Sequence, residues 1–251
     1  MNVRAEIRRT SGAGQRLFPL FCRLEFGISL FTMNDDFIAR KERWAEKMAG
    51  RKLPCRSGSA RMPPGQHEVK DFPVLDLGVK PRVSLEEWRL NITGEVENPV
   101  SLDWEALMAL PQFTDVSDFH CVTTWSQLEM EWTGVAFFSL ADLVLPKQSA
   151  QFVLLQSFDG YTTNLDLAAC LDEDVLIAHS WGGQPLSLEH GGPARLVVPK
   201  RYAWKSAKWL REIRFSSTDA LGYWEKRGYS NYADPFINDR FCSVKKSNPL
   251  V

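Results

Sequence analysis

From Trp88 to Phe215 the apolar residues come in short runs, and a turn signal closes nearly every one. Trp88, Leu90 and Ile92 alternate with polar residues until Gly94, the period-two pattern of a half-buried strand. Phe152 to Leu155, Val175 to Ala178 and Leu196 to Val198 are continuous apolar runs of strand length. Val116 to Val122 also reads as a strand. Trp209, Arg211, Ile213 and Phe215 alternate with Leu210, Glu212 and Arg214 in another, with one polar-rich edge. Helical segments are short: one capped by Ser101 and ended by Pro111, one over Ser139 to Leu145, one capped by Asp166 and running to Cys170. Asp159-Gly160 and Gly182-Gly183 are turns. Many short strands with few helices predict an α+β domain of mixed β-sheets with short helices.

Before Trp88 the chain has a different texture. Asp35 and Asp36 are good N-caps, and Phe37 to Ala49 reads as a charged, solvent-facing helix ended by Gly50. Residues 50–67 carry Pro54, Gly58, Pro63, Pro64 and Gly65 and read as an extended linker. The stretch from Leu17 to Phe31 is apolar, but Arg23 and Glu25 interrupt it and no small-residue cleavage site follows. It is too short and too charged to span a bilayer. Met33 opens a cleaner segment and is the expected start. The expected organisation is an extension over 1–60 with one helix and a linker, a domain over 61–235, and a tail over 236–251 whose aromatic, turn-rich approach from Gly222 resists assignment.

Charge and cysteine usage remove several classes. The formal net charge is −1, so bulk charge does not suggest a nucleic-acid binder. The five cysteines are odd in number and widely spaced, with no C-x-x-C, which excludes zinc-ribbon and thioredoxin readings and suits a reducing, cytoplasmic compartment. No G-x-G-x-x-G follows a strand and no phosphate-binding P-loop is present.

Three clusters carry chemistry. In Asp118-Phe119-His120-Cys121-Val122-Thr123-Thr124-Trp125-Ser126, a cysteine lies beside a histidine, hydroxyls and a ring. A thiolate is a strong soft ligand for a transition metal. The plainer reading is a buried cysteine packing as a small hydrophobe. A Cys–His nucleophile pair is a third reading, disfavoured because neighbours on a strand face opposite ways. Next, Arg195, Lys200, Arg201, Lys205, Lys208, Arg211 and Arg214 stand against Glu212 alone, just after His190-Gly191-Gly192-Pro193. That run suits a phosphate or other anion, or a solvated basic edge; interleaved Trp204 and Trp209 leave nucleic acid as a weaker option. Last, Asp159-Gly160-Tyr161-Thr162-Thr163-Asn164 reads either as a polar loop tip or as part of a site.

The chain resembles the molybdopterin-binding domain of the sulfite-oxidase family. The stretches that carry the likeness are Arg61-Met62-Pro63-Pro64-Gly65-Gln66, Phe72-Pro73-Val74-Leu75, Phe119 to Ser126, Trp132-Thr133-Gly134-Val135, His190 to Pro199, and Lys205-Ser206-Ala207-Lys208-Trp209-Leu210. It is most similar to the short bacterial branch that includes the catalytic subunit of periplasmic methionine-sulfoxide reductase. The resemblance implies a molybdenum–molybdopterin cofactor with Cys121 as the protein ligand to the metal, and His120, Trp125 and Ser126 beside the reacting centre. It further implies a pterin site built from His190, Arg195, Ser206, Ala207 and Lys208, with Ser157, Leu75 and Asp76 as further contacts, the last two differing in type from the family. No haem domain or further dimerisation domain is seen, which implies a monomer taking electrons from a separate partner. Thr123, Thr124, Trp125 and Ser126 stand where sulfite oxidases carry substrate arginines. Reduction of a small neutral S-oxide or N-oxide is therefore expected over sulfite oxidation, and a non-catalytic basic binding module remains the rival. No membrane or nucleic-acid partner is expected.

Overall fold

The computed structural model describes residues 61–242. The helix expected over Phe37 to Ala49, the Met33 start, the linker up to residue 60 and the tail from residue 243 lie outside the described residues. Two sheets carry the fold. The first joins β1 (His67–Glu68), β4 (Gln112–His120), β5 (Trp125–Ala136), β8 (Leu176–Trp181), β9 (Gln184–Pro185) and β10 (Arg195–Val197). Its path is β1-β5-β8-β10, with β4 added to β5 and β9 to β8. The second runs β3 (Val100–Leu102), β2 (Leu90–Gly94), β11 (Leu210–Ser216), β6 (Phe152–Ser157), β7 (Thr162–Asp166). Within it only β2 and β11 pair in parallel. Three short helices connect the strands: α1 (Trp104–Ala109), α2 (Phe137–Val144) and α3 (Leu167–Cys170). The α+β expectation holds.

The first sheet buries both faces. Val135, Ile177 and Leu196 join Ile92, Leu155 and Ile213 of the second sheet in one core. Their strand neighbours Ala136, Leu176, Ala178 and Val197 point the other way, into a second core with Phe72, Phe119, Cys121, Trp125 and Trp132. Burial on both faces is why the β8 segment reads as a continuous apolar run and not as an alternation. At Gly134 the strands pass too close for a side chain, since a Cβ there would lie 2.1 Å from the Ile177 carbonyl oxygen.

Several local expectations change. Asp103, not Ser101, caps α1, accepting from the Ala106 amide at 2.8 Å, and Ser101 belongs to β3. The polar run after Tyr161 is strand β7 with Thr163, Asn164 and Leu165 buried, not a loop tip. Residues 61–67 do not form a loose linker. Arg61 pairs with Asp118 and Glu129, Gln66 is buried, and β1 pairs in parallel with the start of β5. Past residue 235 the chain stays packed: Tyr229 bridges to Phe241, and the Cys242 amide donates to the Gly228 carbonyl.

Candidate active site

Strand β4 stops at His120 and β5 starts at Trp125, so Cys121 opens the turn between them and does not lie in the strand expected through Val122. The Cys121 amide donates to the Trp125 carbonyl (2.8 Å), and the Thr124 amide returns to the Cys121 carbonyl (3.0 Å). Thr124 takes a left-handed φ of 77° to close the turn. Cys121 Sγ lies 3.1 Å from Thr123 Oγ1. Cys121, Val122, Thr123 and Trp125 form one wall of a cavity of about 940 Å³, its open mouth included.

His120 and Ser126 do not line this cavity. The His120 ring turns behind the cysteine, with Nδ1 2.8 Å from Ser126 Oγ. The Ser126 hydroxyl donates to Gln66 Oε1 (3.4 Å), so it accepts from a protonated His120 Nδ1. Burial lowers the His120 pKa to about 4 against the pull of Asp118, and the ring is neutral. The two residues support Cys121 from behind.

The predicted pterin residues separate into those that reach the cavity and those that brace it. Arg195, Ser206, Lys208, Leu75 and Asp76 line it. Arg195 is buried, donating to the carbonyls of His190 (2.9 Å) and Ser206 (3.0 Å). It lies over the Phe119, Trp132 and Phe72 rings. Ser206 Oγ accepts from the Val198 amide (3.0 Å). Lys208 Nζ donates to the carbonyls of Leu75 (2.8 Å) and Glu189 (2.5 Å), which ties the Leu75–Asp76 segment to the start of β11. Gly191 makes this possible: at φ 101° it has no Cβ, and one there would sit 2.9 Å from that of Lys208. His190 stacks on Phe72 at 4.3 Å. Its Nε2 donates to the Phe72 carbonyl (3.1 Å), leaving Nδ1 to accept from Ser187 Oγ (3.0 Å). Ala207 is fully buried and its carbonyl accepts from the Leu196 amide. Ser157 is buried opposite Leu210 in the β6–β11 ladder and does not line the cavity.

The basic run does not form one patch. Lys200 pairs with Asp172 and Asp174, and Lys205 is buried against Glu225 at 2.7 Å. Arg201 covers the Tyr232 ring, and only Arg195 and Lys208 of the run reach the cavity. Asp159 and Tyr161, from the polar run that reads either as a loop tip or as part of a site, also line the cavity, as do Trp204 and Trp209, which the sequence offers only as rings among the basic residues. Asp159 accepts from the Tyr161 amide (2.9 Å). Burial pushes its carboxyl up to about 6, with Lys208 pulling it down and Asp76 adding to the rise.

These donors fit a molybdopterin. Arg195 is a buried guanidinium with no carboxylate paired to it among the described residues, which suits an anionic phosphate. Trp125 lines the cavity, and its indole N–H is buried with no hydrogen-bond partner among the described residues. No group of three or more His, Cys, Asp or Glu side chains among the described residues gathers to hold a metal by itself. A metal at Cys121 therefore needs donors from a bound ligand, which a dithiolene supplies.

Residues 77–224 match the family described as the oxidoreductase molybdopterin-binding domain. The chain belongs to that family and is a molybdenum-cofactor oxidoreductase of the sulfite-oxidase type. It is 42% identical over 184 residues to the uncharacterized oxidoreductase YuiH of Bacillus subtilis, covering 73% of this chain and 93% of the relative. It is 29% identical over 170 residues to the protein-methionine-sulfoxide reductase catalytic subunit MsrP of Campylobacter jejuni, covering 59% of this chain and 55% of that one. Thus the chain spans nearly the whole of the first relative but about half of the second. Among solved structures, the sulfane dehydrogenase SoxCD of Paracoccus pantotrophus matches with a TM-score of 0.52 at 23% identity. That match covers 59% of this chain and 42% of that one, a likeness of fold.

Proposed function

We propose that this oxidoreductase reduces a small neutral S-oxide or N-oxide, with electrons from a separate protein partner. The observation that carries this reading is the neutral wall around the cysteine sulfur. Beside Cys121 the cavity presents Val122, Thr123 and Trp125, while Arg195 and Lys208 give hydrogen bonds to backbone carbonyls. An anionic substrate such as sulfite needs charge-assisted donors at the reacting centre. A neutral oxide needs only a weak donor, and the Thr123 hydroxyl, 3.1 Å from Cys121 Sγ, stands beside that centre.

In this reading Cys121 Sγ is the protein ligand to molybdenum. Arg195, Lys208 and Ser206 hold the phosphate-bearing end of the cofactor. His190, Ala207 and Ser157 brace that pocket, and Leu75 and Asp76 form its rim. Bound there, the cofactor supplies oxygen-atom transfer and two-electron redox chemistry. The net reaction consumes two electrons and two protons, breaks the S–O or N–O bond and releases water. A monomer in the cytoplasm is the state we favour. Among the described residues Cys121, Cys170 and Cys242 form no disulfide, which supports a reducing compartment.

The test is the full chain made in a host that synthesises the cofactor. About one molybdenum per chain is expected. Reduction of sulfoxides or N-oxides from a reduced dye should exceed sulfite oxidation, and Cys121→Ser should lower it by more than about 100-fold. Turnover of sulfite alone would overturn the substrate reading, and metal-free protein would overturn the cofactor reading.

A further inference from the structure

Residues 77–224 carry the family match, yet two buried side chains from outside it reach back to the Cys121 turn. Gln66, 9% exposed, donates through Nε2 to the Cys121 carbonyl (3.1 Å) and accepts on Oε1 from Ser126. Arg240, 5% exposed, donates through Nη1 to the next carbonyl, that of Val122. Arg240 is itself held in place. Its Nε donates to Asn238 Oδ1 (2.7 Å), and its guanidinium lies 5.3 Å from the Tyr202 ring centroid. Tyr202 is anchored in turn by its amide to the Ala233 carbonyl (2.8 Å) and by its hydroxyl to the same Asn238. Phe236 closes the arrangement from outside, edge-on to the His120 ring at 5.5 Å.

The turn has few bonds of its own: the Cys121 amide to Trp125 and the Thr124 amide to Cys121. Two successive peptide planes are therefore oriented by side chains from either side of the matched segment. The planes on either side of a Cα set where its Cβ points: at Cys121 these are held by its own amide bond to Trp125 and by Gln66 on its carbonyl, while Arg240 holds the next plane, one residue on, and so fixes the turn that carries them. A metal site tolerates an error of only about 0.5 Å in such a ligand. Arg240 also places a buried cation behind the cysteine turn and outside the cavity wall, where it would favour an electron-rich state of a metal held by Cys121.

We infer that Gln66 and Arg240 are positioning residues for Cys121, gripping its turn from both flanks and biasing the metal's potential. The inference rests on Cys121 being the metal ligand. The test uses full-length holoprotein of wild type, Arg240→Met, Arg240→Lys and Gln66→Leu. Readouts are molybdenum content, the EPR signal and midpoint potential of the metal, kcat against KM, and amide exchange in the peptide spanning 119–126. Arg240→Met and Gln66→Leu should speed exchange in that peptide and lower kcat, each by about 10-fold, with KM little changed and molybdenum retained. Both should shift the EPR signal, and Arg240→Met should lower the potential. Arg240→Lys, which keeps a donor and the charge, should recover part of each effect. Folded, loaded Arg240→Met and Gln66→Leu with wild-type exchange and EPR would overturn the inference. If Arg240→Met fails to fold, Gln66→Leu and Arg240→Lys decide it by the same readouts. If wild type carries no molybdenum, the cofactor reading fails, and the exchange comparison still decides whether the two side chains hold the turn.

Discussion

Arg195 and Asp159 face the same cavity and are perturbed by the same cause. Burial pulls the Arg195 guanidinium down to about 9, still charged at neutral pH, and pushes the Asp159 carboxyl up to about 6. A buried cation without a carboxylate is costly, and a bound phosphate offsets that cost. Asp159 has the opposite sign and a testable consequence in the cofactor-free protein. Its folded pKa lies above the value near 3.8 of an unperturbed aspartate, so the folded state keeps a proton that the unfolded chain releases. The stability this brings is complete below about pH 4 and is lost as pH rises through about 6. Asp159→Asn keeps an acceptor for the Tyr161 amide and removes the titration. It should raise stability at pH 7 by about 1–2 kcal/mol, a figure reduced for solvent on the part-exposed side, and leave it unchanged at pH 4. Urea midpoints at the two pH values measure this; an equal gain at both would show that the carboxyl's ionisation is not the cause.

The strands show which parts of the fold could be read from the chain. β2, β6, β8 and β10 were legible because their burial is apolar; in β11 the alternation holds from Ile213 to Phe215, but a bulge between Leu210 and Glu212 shifts it before that, so Leu210 is buried and Arg211 exposed. β5 was not legible, because bulges at Ser117/Phe119 and Thr133/Gly134 and a left-handed Glu129 break the alternation. β7 was hidden for another reason: its interior residues are buried through hydrogen bonds. Thr163 Oγ1 and Trp204 Nε1 both donate to Glu225 Oε1, and Lys205 Nζ donates to Asn164. Cys121, Arg195 and Lys208 stood out only in combination; Gln66 ends one stretch that carries the resemblance but had no role of its own, and Arg240 left no signal, because their partners lie 55 and 118 residues away. The β7 network predicts a large, non-additive cost. Burial lowers the Lys205 pKa against the pull of Glu225, so the ammonium depends on that carboxylate. Glu225→Gln should cost about 3–5 kcal/mol, and Lys205→Met with Glu225→Gln should cost less than the sum of the two single changes. A double-mutant cycle by urea denaturation measures the coupling, and simple additivity would show that the pair does not interact.

Taken across the molecule, charge is spread and apolar surface is divided. A net charge of −1 with the basic run split among ion pairs, ring contacts and one cavity leaves that run no continuous cationic face. The cavity joins the two cores. Leu77 and Tyr161 come from the core between the sheets, and Phe72, Phe119, Trp125 and Tyr229 from the core behind the first sheet. A ligand filling it touches both, so its binding energy should appear as stability of the whole domain. A group retained at 100 times its dissociation constant adds about 2.7 kcal/mol. For a domain this size each 1 kcal/mol moves the melting temperature by roughly 2–4 °C. Protein from a cofactor-making host should therefore melt about 5–10 °C above the same chain from a host that lacks the cofactor. Amide exchange should be slowed in the loaded form both at 121–126 and at 203–209, because those segments wall the cavity from different sides. Protection confined to 121–126 would mean that the ligand rests on the cysteine turn without reaching the Ser206–Lys208 wall. Equal melting temperatures in two preparations that differ in molybdenum content would mean that the cavity does not couple the cores.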